Sequence, residues 1–260
     1  MHSESNKRIF FTALFLALFF SFIVSLAAVI LKPIQVKNEE LERNKNVLIA
    51  AGKNTDNIDE EFKKIKTFYF NLKTKKVEEA TNVSNYFRNF KRLSENKDTS
   101  IQLNGDLEGF KSIPDKIPFY AFYDNDTLEL VVLPIFGNGL WSTMYGFIAI
   151  KNDGNTIQGL TFYDQKETPG LGGEVDNPKW KALWNSKKIY DENGELKIEV
   201  IKGIVDDNDK NSKFQIDGLS GATMTTKGVN SFVRFWLGKS GFEDLLKYIG
   251  KHKELPVEKG

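Results

Sequence analysis

Small and hydroxylated residues cluster between Asp217 and Val229, which read Asp-Gly-Leu-Ser-Gly-Ala-Thr-Met-Thr-Thr-Lys-Gly-Val. The small residues leave the backbone around Thr223 open, and an amphipathic helix is predicted to begin within a few residues, with Thr225 or Thr226 as its cap. The free N–H groups and positive dipole end of such a helix favour a phosphate beside Thr223. An ordinary threonine-rich helix cap is the alternative interpretation.

Several other kinds of chemistry are excluded by composition. The chain has no cysteine and two histidines, His2 and His252, near its two ends. Disulfides, thiolate metal sites and cysteine nucleophiles are therefore impossible, and we expect no metal site, no Ser-His-Asp triad and no catalytic side chain. The 36 basic residues are balanced by 35 acidic ones, so a nucleic acid partner is not expected.

Two glycine-rich segments lie upstream of the threonine cluster, Gly137-Asn138-Gly139 and Gly170-Leu171-Gly172-Gly173. Neither has the spacing of a dinucleotide-binding or Walker loop. Glu167-Thr168-Pro169 is also a poor lead into a helix. The usual nucleotide-binding folds are therefore not predicted.

The N-terminal region predicts a membrane anchor. The run from Ile9 to Leu31 carries no charge, and as a helix it would span roughly 35 Å, enough to cross a bilayer. A signal peptide is the alternative, but the apolar run is too long and lacks a polar cleavage region. Lys7 and Arg8 in the arm of residues 1–8 favour a cytoplasmic N-terminus, with residues 32–260 on the other side.

The exported part is predicted to be one α+β domain. Residues 32–52 suit a helical stalk, and a second helix is expected from near Asp56 to Tyr69, followed by a strand that begins at Phe70. Residues 83–105 are polar and have no clear assignment. Aromatic and β-branched runs then predict antiparallel strands joined by tight turns, followed by a further strand over 196–205. A bent sheet with helices packed on one side is the expected architecture.

The threonine motif resembles that of a known family. Ser220-Gly221-Ala222-Thr223, preceded by Asp217, is similar to the flavinylation signature of membrane-bound FMN-binding domains, whose threonine hydroxyl carries FMN through a phosphoester. Residues 137–142 (Gly-Asn-Gly-Leu-Trp-Ser) and 167–172 (Glu-Thr-Pro-Gly-Leu-Gly) are similar to two further segments of that family. With the anchor, these motifs resemble the C subunits of the Na⁺-translocating NADH:quinone oxidoreductases.

This resemblance implies a function and a set of site residues. The chain would pass electrons between flavin centres towards quinone, coupled to Na⁺ export, as part of a complex in a bacterial inner membrane with its main domain in the periplasm. Its partners would be the other subunits, a flavin transferase and the membrane. The residues implied to hold FMN are Thr223 as the attachment site, Ser220, Gly221, Ala222 and Thr225 around it, Trp141 and Leu171 packing near the ring, Thr168 and Gly170 as polar contacts, and Lys202 as a stabilising charge.

Other interpretations remain open from the sequence. The G subunit of the ferredoxin-linked Rnf complex shares the anchor and the threonine motif. A membrane-anchored binding module without redox chemistry would also use such a domain. Trp141 would then be an ordinary core residue and Lys202 a solvated charge.

Overall fold

The computed structural model of the chain describes residues 2–80 and 83–257, with side chains described from residue 6. Met1 of the predicted arm and residues 258–260 of the predicted exported domain lie outside the described residues. By internal packing the chain divides into two units, Met1–Glu42 and Arg43–Gly260.

The helices and strands are numbered in chain order. The helices are α1 (His2–Ala50), α2 (Ile58–Lys63), α3 (Ser84–Glu95), α4 (Pro178–Ala182), α5 (Thr223–Leu237) and α6 (Glu243–His252). The strands are β1 (Lys66–Asn71), β2 (Val77–Glu79), β3 (Ser100–Gln102), β4 (Ser112–Pro114), β5 (Lys116–Asp124), β6 (Thr127–Asn138), β7 (Thr143–Lys151), β8 (Ile157–Asp164), β9 (Glu199–Val200) and β10 (Gln215–Ile216). Short 3₁₀ helices cover Gly172–Asp176 and Ser212–Phe214.

The first unit consists of the N-terminal part of α1. The predicted anchor and stalk form one continuous helix, and its stretch Asn6–Ala50 is long and apolar enough, by length and composition, to cross a membrane. Phe10, Phe15 and Phe22 keep 63%, 66% and 66% of their surface exposed. Large apolar side chains are exposed on all sides of this part of the helix, a surface that is unfavourable in water and favourable in lipid.

The second unit is built on a six-stranded antiparallel sheet, which confirms the α+β prediction. The strand order is β2-β1-β5-β6-β7-β8, so the long central hairpins follow the chain. Asn125 and Asp126 turn the β5–β6 hairpin with φ of 45° and 65°, as a two-residue turn requires. Register shifts in the β5–β6 and β7–β8 pairs bend the sheet.

Both faces of the sheet are covered, whereas the sequence predicted helices on one side. Residues alternate along β5, so Phe119 joins the core beneath α5 and α6 while Tyr120 joins a second core on the other face. Val47 and Leu48, at the end of α1, are fully buried in that second core. The end of the predicted stalk is therefore part of the folded domain.

Two local predictions need correction, and the structure assigns one segment that the sequence left open. The unassigned polar segment contains α3, whose apolar Tyr86, Phe90 and Leu93 follow helical spacing among charged residues. The predicted strand over 196–205 is reduced to β9, which pairs in parallel with β10. The helix expected from Asp56 ends at Lys63, because the following residues enter β1.

Helix α5 packs unusually close to the end of β6. A Cβ on Gly137 would lie 2.3 Å from Phe232 Cβ, and a Cβ on Gly228 would lie 2.2 Å from the Asn138 carbonyl oxygen. Only glycine fits at both positions. This contact places the N-terminus of α5 beside the loop that joins β6 to β7.

Candidate functional site

The site begins at the first turn of α5, where three threonines have different environments. Thr223 is the first helical residue and its side chain is exposed, whereas Thr225 and Thr226 are 1% and 6% exposed. The Thr225 hydroxyl donates to Glu167 Oε2 at 2.6 Å, and Thr226 Oγ1 accepts from the Leu219 N–H at 3.0 Å. Thr223 therefore presents the exposed threonine hydroxyl of this turn.

The N-terminus of α5 has no side-chain cap within the described part of the chain. The N-cap position is Ala222, so the prediction that Thr225 or Thr226 caps the helix is wrong. Both threonines lie inside the helix, and their hydroxyls bond to other partners. The first N–H groups of a helix have no intrahelical acceptor, so those of α5 are available to an anion.

The loop before α5 is shaped by Gly221 and Asp217. Gly221 has φ of +71°, a left-handed conformation that disfavours residues with a Cβ. Asp217 Oδ1 accepts from the Val205 N–H at 2.8 Å, and the Asp217 carbonyl accepts from Trp180 Nε1 at 2.9 Å. The loop that leads to Ser220 is thereby fixed to two other parts of the domain.

The segment from Thr168 to Gly173 lies against this loop. The Thr168 carbonyl accepts from the Leu171 and Gly173 N–H groups at 3.1 and 2.9 Å, and Gly170 turns the chain with φ of +75°. A Cβ on Gly221 would lie 2.9 Å from Leu171 Cδ2, so the exposed Leu171 side chain reaches the threonine motif.

Glu167 joins the remaining segment to α5. Its buried carboxylate accepts at Oε1 from the N–H groups of Trp141 (2.9 Å) and Ser142 (3.3 Å), and at Oε2 from Leu140 N–H (3.2 Å) and the Thr225 hydroxyl. Burial raises the pKa of this carboxyl, but the four hydrogen bonds outweigh burial and leave the pKa below its ordinary value. The group is therefore ionised at neutral pH.

Trp141 and Lys202 both have exposed side chains, on two different loops. The Trp141 side chain keeps 69% of its surface exposed, on the turn closed by the Gly139 N–H to Ser142 carbonyl bond. Lys202 lies in a loop whose Gly203 carbonyl accepts from Gly218 N–H at 2.8 Å. Among the described residues, the Lys202 side chain makes no hydrogen bond or ion pair, so only its loop is tied to the motif.

The fold thus brings together three segments that the sequence singled out separately. From the sequence, Glu167 was recognised only as part of a motif, and its role in linking the three segments was missed. A signal was present, because an acidic residue stands directly before a stretch without charge, Thr168 to Gly173. Among the described residues, no group of three or more His, Cys, Asp or Glu side chains is arranged to hold a metal ion.

Known proteins resemble the chain along nearly its whole length. The FMN-binding domain family matches residues 139–238, which include the threonine motif, residues 167–172 and residues 139–142 of the first segment. The C subunit of the Na⁺-translocating NADH-quinone reductase from Pseudomonas aeruginosa is 39% identical over 260 residues, covering 96% of this chain and 98% of that protein. Its counterpart from Vibrio parahaemolyticus is 38% identical over 259 residues, covering 94% and 95%.

Solved structures agree with this relationship. The crystal structure of Shewanella oneidensis NqrC matches with a TM-score of 0.71 and 33% identity, covering 80% of this chain and 96% of that one. The corresponding reductase subunit from Parabacteroides distasonis matches with a TM-score of 0.61 and 25% identity, covering 84% and 96%. The chain therefore belongs to the NqrC family, the C subunits of Na⁺-translocating NADH-quinone reductases, and it contains that family's FMN-binding domain.

Proposed function

We propose that this chain is the electron-transfer subunit of a Na⁺-translocating NADH-quinone reductase and that it carries FMN covalently on Thr223 Oγ1. One observation carries the attachment site. Thr223 alone among the threonines of the first α5 turn has an exposed side chain, and it stands at a helix N-terminus without a side-chain cap among the described residues. A phosphoester there would meet free N–H groups and the positive end of the helix dipole.

The surrounding surface suits the flat, apolar ring of a flavin. Four large apolar side chains from the three segments are exposed: Leu140 at 49%, Trp141 at 69%, Leu171 at 44% and Met224 at 55%. Exposed apolar groups around one polar anchor are typical of a site that a ligand covers. Trp141 and Leu171 would pack against the ring, while Thr168 and Gly170 would offer polar contacts.

Attachment needs an activated flavin nucleotide, because an unactivated phosphate would have to expel water. We propose that Thr223 Oγ1 forms the new P–O bond with a flavin dinucleotide whose phosphoanhydride bond breaks. A nucleoside monophosphate then leaves, and the threonine proton passes to solvent. This step is redox-neutral, and a flavin transferase is the partner that would catalyse it.

Bound FMN would supply the electron-accepting and electron-donating chemistry. The chain itself then needs no general base or nucleophile. Its residues hold the phosphate, pack beside the ring and limit water there. Lys202 would add positive charge if its flexible side chain turns towards the phosphate. The sites for NADH, Na⁺ and quinone are expected in other subunits of the complex, which would couple electron transfer to Na⁺ export.

The location follows from α1 and the charges beside it. We propose that residues 9–31 cross the bacterial inner membrane once, with residues 1–8 in the cytoplasm and residues 32–260 in the periplasm. The exposed apolar surface of α1 and its length support the span. Lys7 and Arg8 support the orientation.

Peptide mass spectrometry of the full-length protein from its native host tests the attachment. Trypsin cleavage after Lys213 and Lys227 yields one peptide, Phe214–Lys227, which contains Ser220 and all three threonines. We expect this peptide to carry the added mass of an FMN phosphoryl group, with fragment ions assigning it to Thr223. An unmodified peptide, or FMN on another residue, would contradict the proposal and favour a module without covalent flavin.

A further inference from the structure

Glu167 is a buried acid whose hydrogen-bond donors are all neutral. Three consecutive backbone N–H groups, from Leu140 to Ser142, converge on its carboxylate, together with the Thr225 hydroxyl. Consecutive N–H groups that point inward form an anion-binding nest. Here the anion belongs to the chain itself, so one side chain ties the β6–β7 loop to the first turn of α5.

The glycines around Glu167 make this arrangement possible. A Cβ on Gly139 would lie 2.6 Å from Glu167 Oε1, and a Cβ on Gly172 would lie 2.8 Å from Oε2 and 2.5 Å from Thr225 Oγ1. All three distances are too short for a real carbon, so a larger residue at either position would displace the carboxylate. These two glycines of the glycine-rich segments thus leave room for a carboxylate.

We propose that Glu167 is a positioning residue that fixes the Trp141 loop relative to Thr223, and thereby sets the surroundings of the flavin. This inference rests on the proposed function for its effect on flavin, but not for its effect on the loop. Trp141 is highly exposed, and its backbone N–H is held by Glu167 at 2.9 Å. Loss of the carboxylate would release the loop while leaving the Thr223 hydroxyl in place.

The informative change is Glu167→Gln. Glutamine keeps the length and shape of glutamate but replaces one acceptor oxygen with an NH₂ donor. That donor cannot accept from a backbone N–H, so at least one bond of the nest is lost while the Thr225 hydroxyl can still pair by accepting. Glu174→Gln is a matched control, because Glu174 lies nearby in the 3₁₀ helix Gly172–Asp176 and accepts from the Asn177 side-chain amide, outside the nest.

The first measurement uses full-length protein made without the flavin transferase. Hydrogen exchange should quicken about ten-fold or more in Glu167→Gln at one or more of the Leu140, Trp141 and Ser142 amides, as expected for loss of a bond to a charged acceptor. Acrylamide quenching of tryptophan fluorescence is a second measurement of the same loop. Trp141 is exposed to the quencher while Trp180, Trp184 and Trp236 are buried. Glu174→Gln should match the wild type in both. Unchanged exchange in Glu167→Gln would overturn the proposal.

The second measurement uses the flavin-loaded protein. Glu167→Gln should keep covalent flavin and shift its midpoint potential, and the shift should disappear in a Trp141→Ala background, because Glu167 acts through that loop. A persistent shift in that background, or no shift at all, would overturn the positioning role. If Glu167→Gln does not fold, Thr225→Val is used instead, because it removes the bond between the same carboxylate and α5. The same two results then decide: a shift in midpoint potential, and its disappearance in the Trp141→Ala background. Absence of flavin from the wild type would instead refute the proposed function, while the exchange result would still stand.

Discussion

Thr223 and Thr225 stand two positions apart on α5, and replacing each with valine should separate flavin attachment from stability. Side chains two positions apart on an α-helix are separated by a rotation of about 200°, so they point in nearly opposite directions. An exposed Thr223 therefore places Thr225 against the interior. Valine has nearly the shape of threonine and removes only the hydroxyl. Thr223→Val should therefore lose covalent flavin with little change in stability. Thr225→Val should keep covalent flavin and lower the stability of the fold.

The size of the stability effect follows from the contacts. Thr225→Val removes the 2.6 Å bond to Glu167 and leaves Oε2 with one donor, the Leu140 N–H at 3.2 Å. A lost hydrogen bond to a buried charged group costs about 1.5–3 kcal/mol. For a folded unit of this size, the melting temperature should fall on the order of 5 °C. Thr223→Val changes an exposed side chain and should cost less than about 0.5 kcal/mol.

The assay needs two preparations of each full-length variant in detergent. Protein made without the flavin transferase gives the melting temperatures, so that bound flavin does not contribute. Protein made with the transferase is run on a denaturing gel and viewed for flavin fluorescence. Thr225→Ser is the matched control, because serine restores the hydroxyl and should recover most of the lost stability.

Two results would refute this reasoning. A fluorescent band from Thr223→Val would show that another residue carries the flavin. Equal melting temperatures for Thr225→Val and Thr223→Val would show that the bond between Thr225 and Glu167 contributes no stability, and the account of this carboxylate would fail.

Three further predictions concern pH, redox tuning and topology. The folded-state pKa of Glu167 is lowered, so its stabilising bonds are present above its unfolded pKa of about 4.3 and are lost as pH falls through the folded value. Urea titrations should therefore show the stability advantage of wild type over Glu167→Gln shrinking below about pH 4, and a constant difference would contradict this. Leu171→Ala should leave flavin attached but shift its midpoint potential, because the side chain is exposed beside Gly221; a redox titration with no shift would assign Leu171 to loop packing. Alkaline phosphatase fused to the C-terminus should be active in cells, and an inactive fusion would reverse the topology.

The sequence alone determined the features that depend on local patterns. The uncharged run from Ile9 to Leu31 predicted a long helix, and aromatic and β-branched runs between turn residues predicted the four strands β5 to β8. A hydrophobic pattern is a property of neighbouring residues, so it can be recognised in the sequence without knowledge of the fold. The motif around Thr223 likewise indicated the family, which the similarity to known relatives confirmed.

The tertiary structure decided which residues meet. Glu167 contacts Thr225 across 58 positions of sequence, and no local pattern encodes that pairing. The burial of Thr225 and the exposure of Thr223 depend on which side of α5 faces β6, and the close approach at Gly137 and Gly228 sets that face. The weakly periodic end of α1 became a covering for the sheet because the second face of that sheet is also apolar and must be buried.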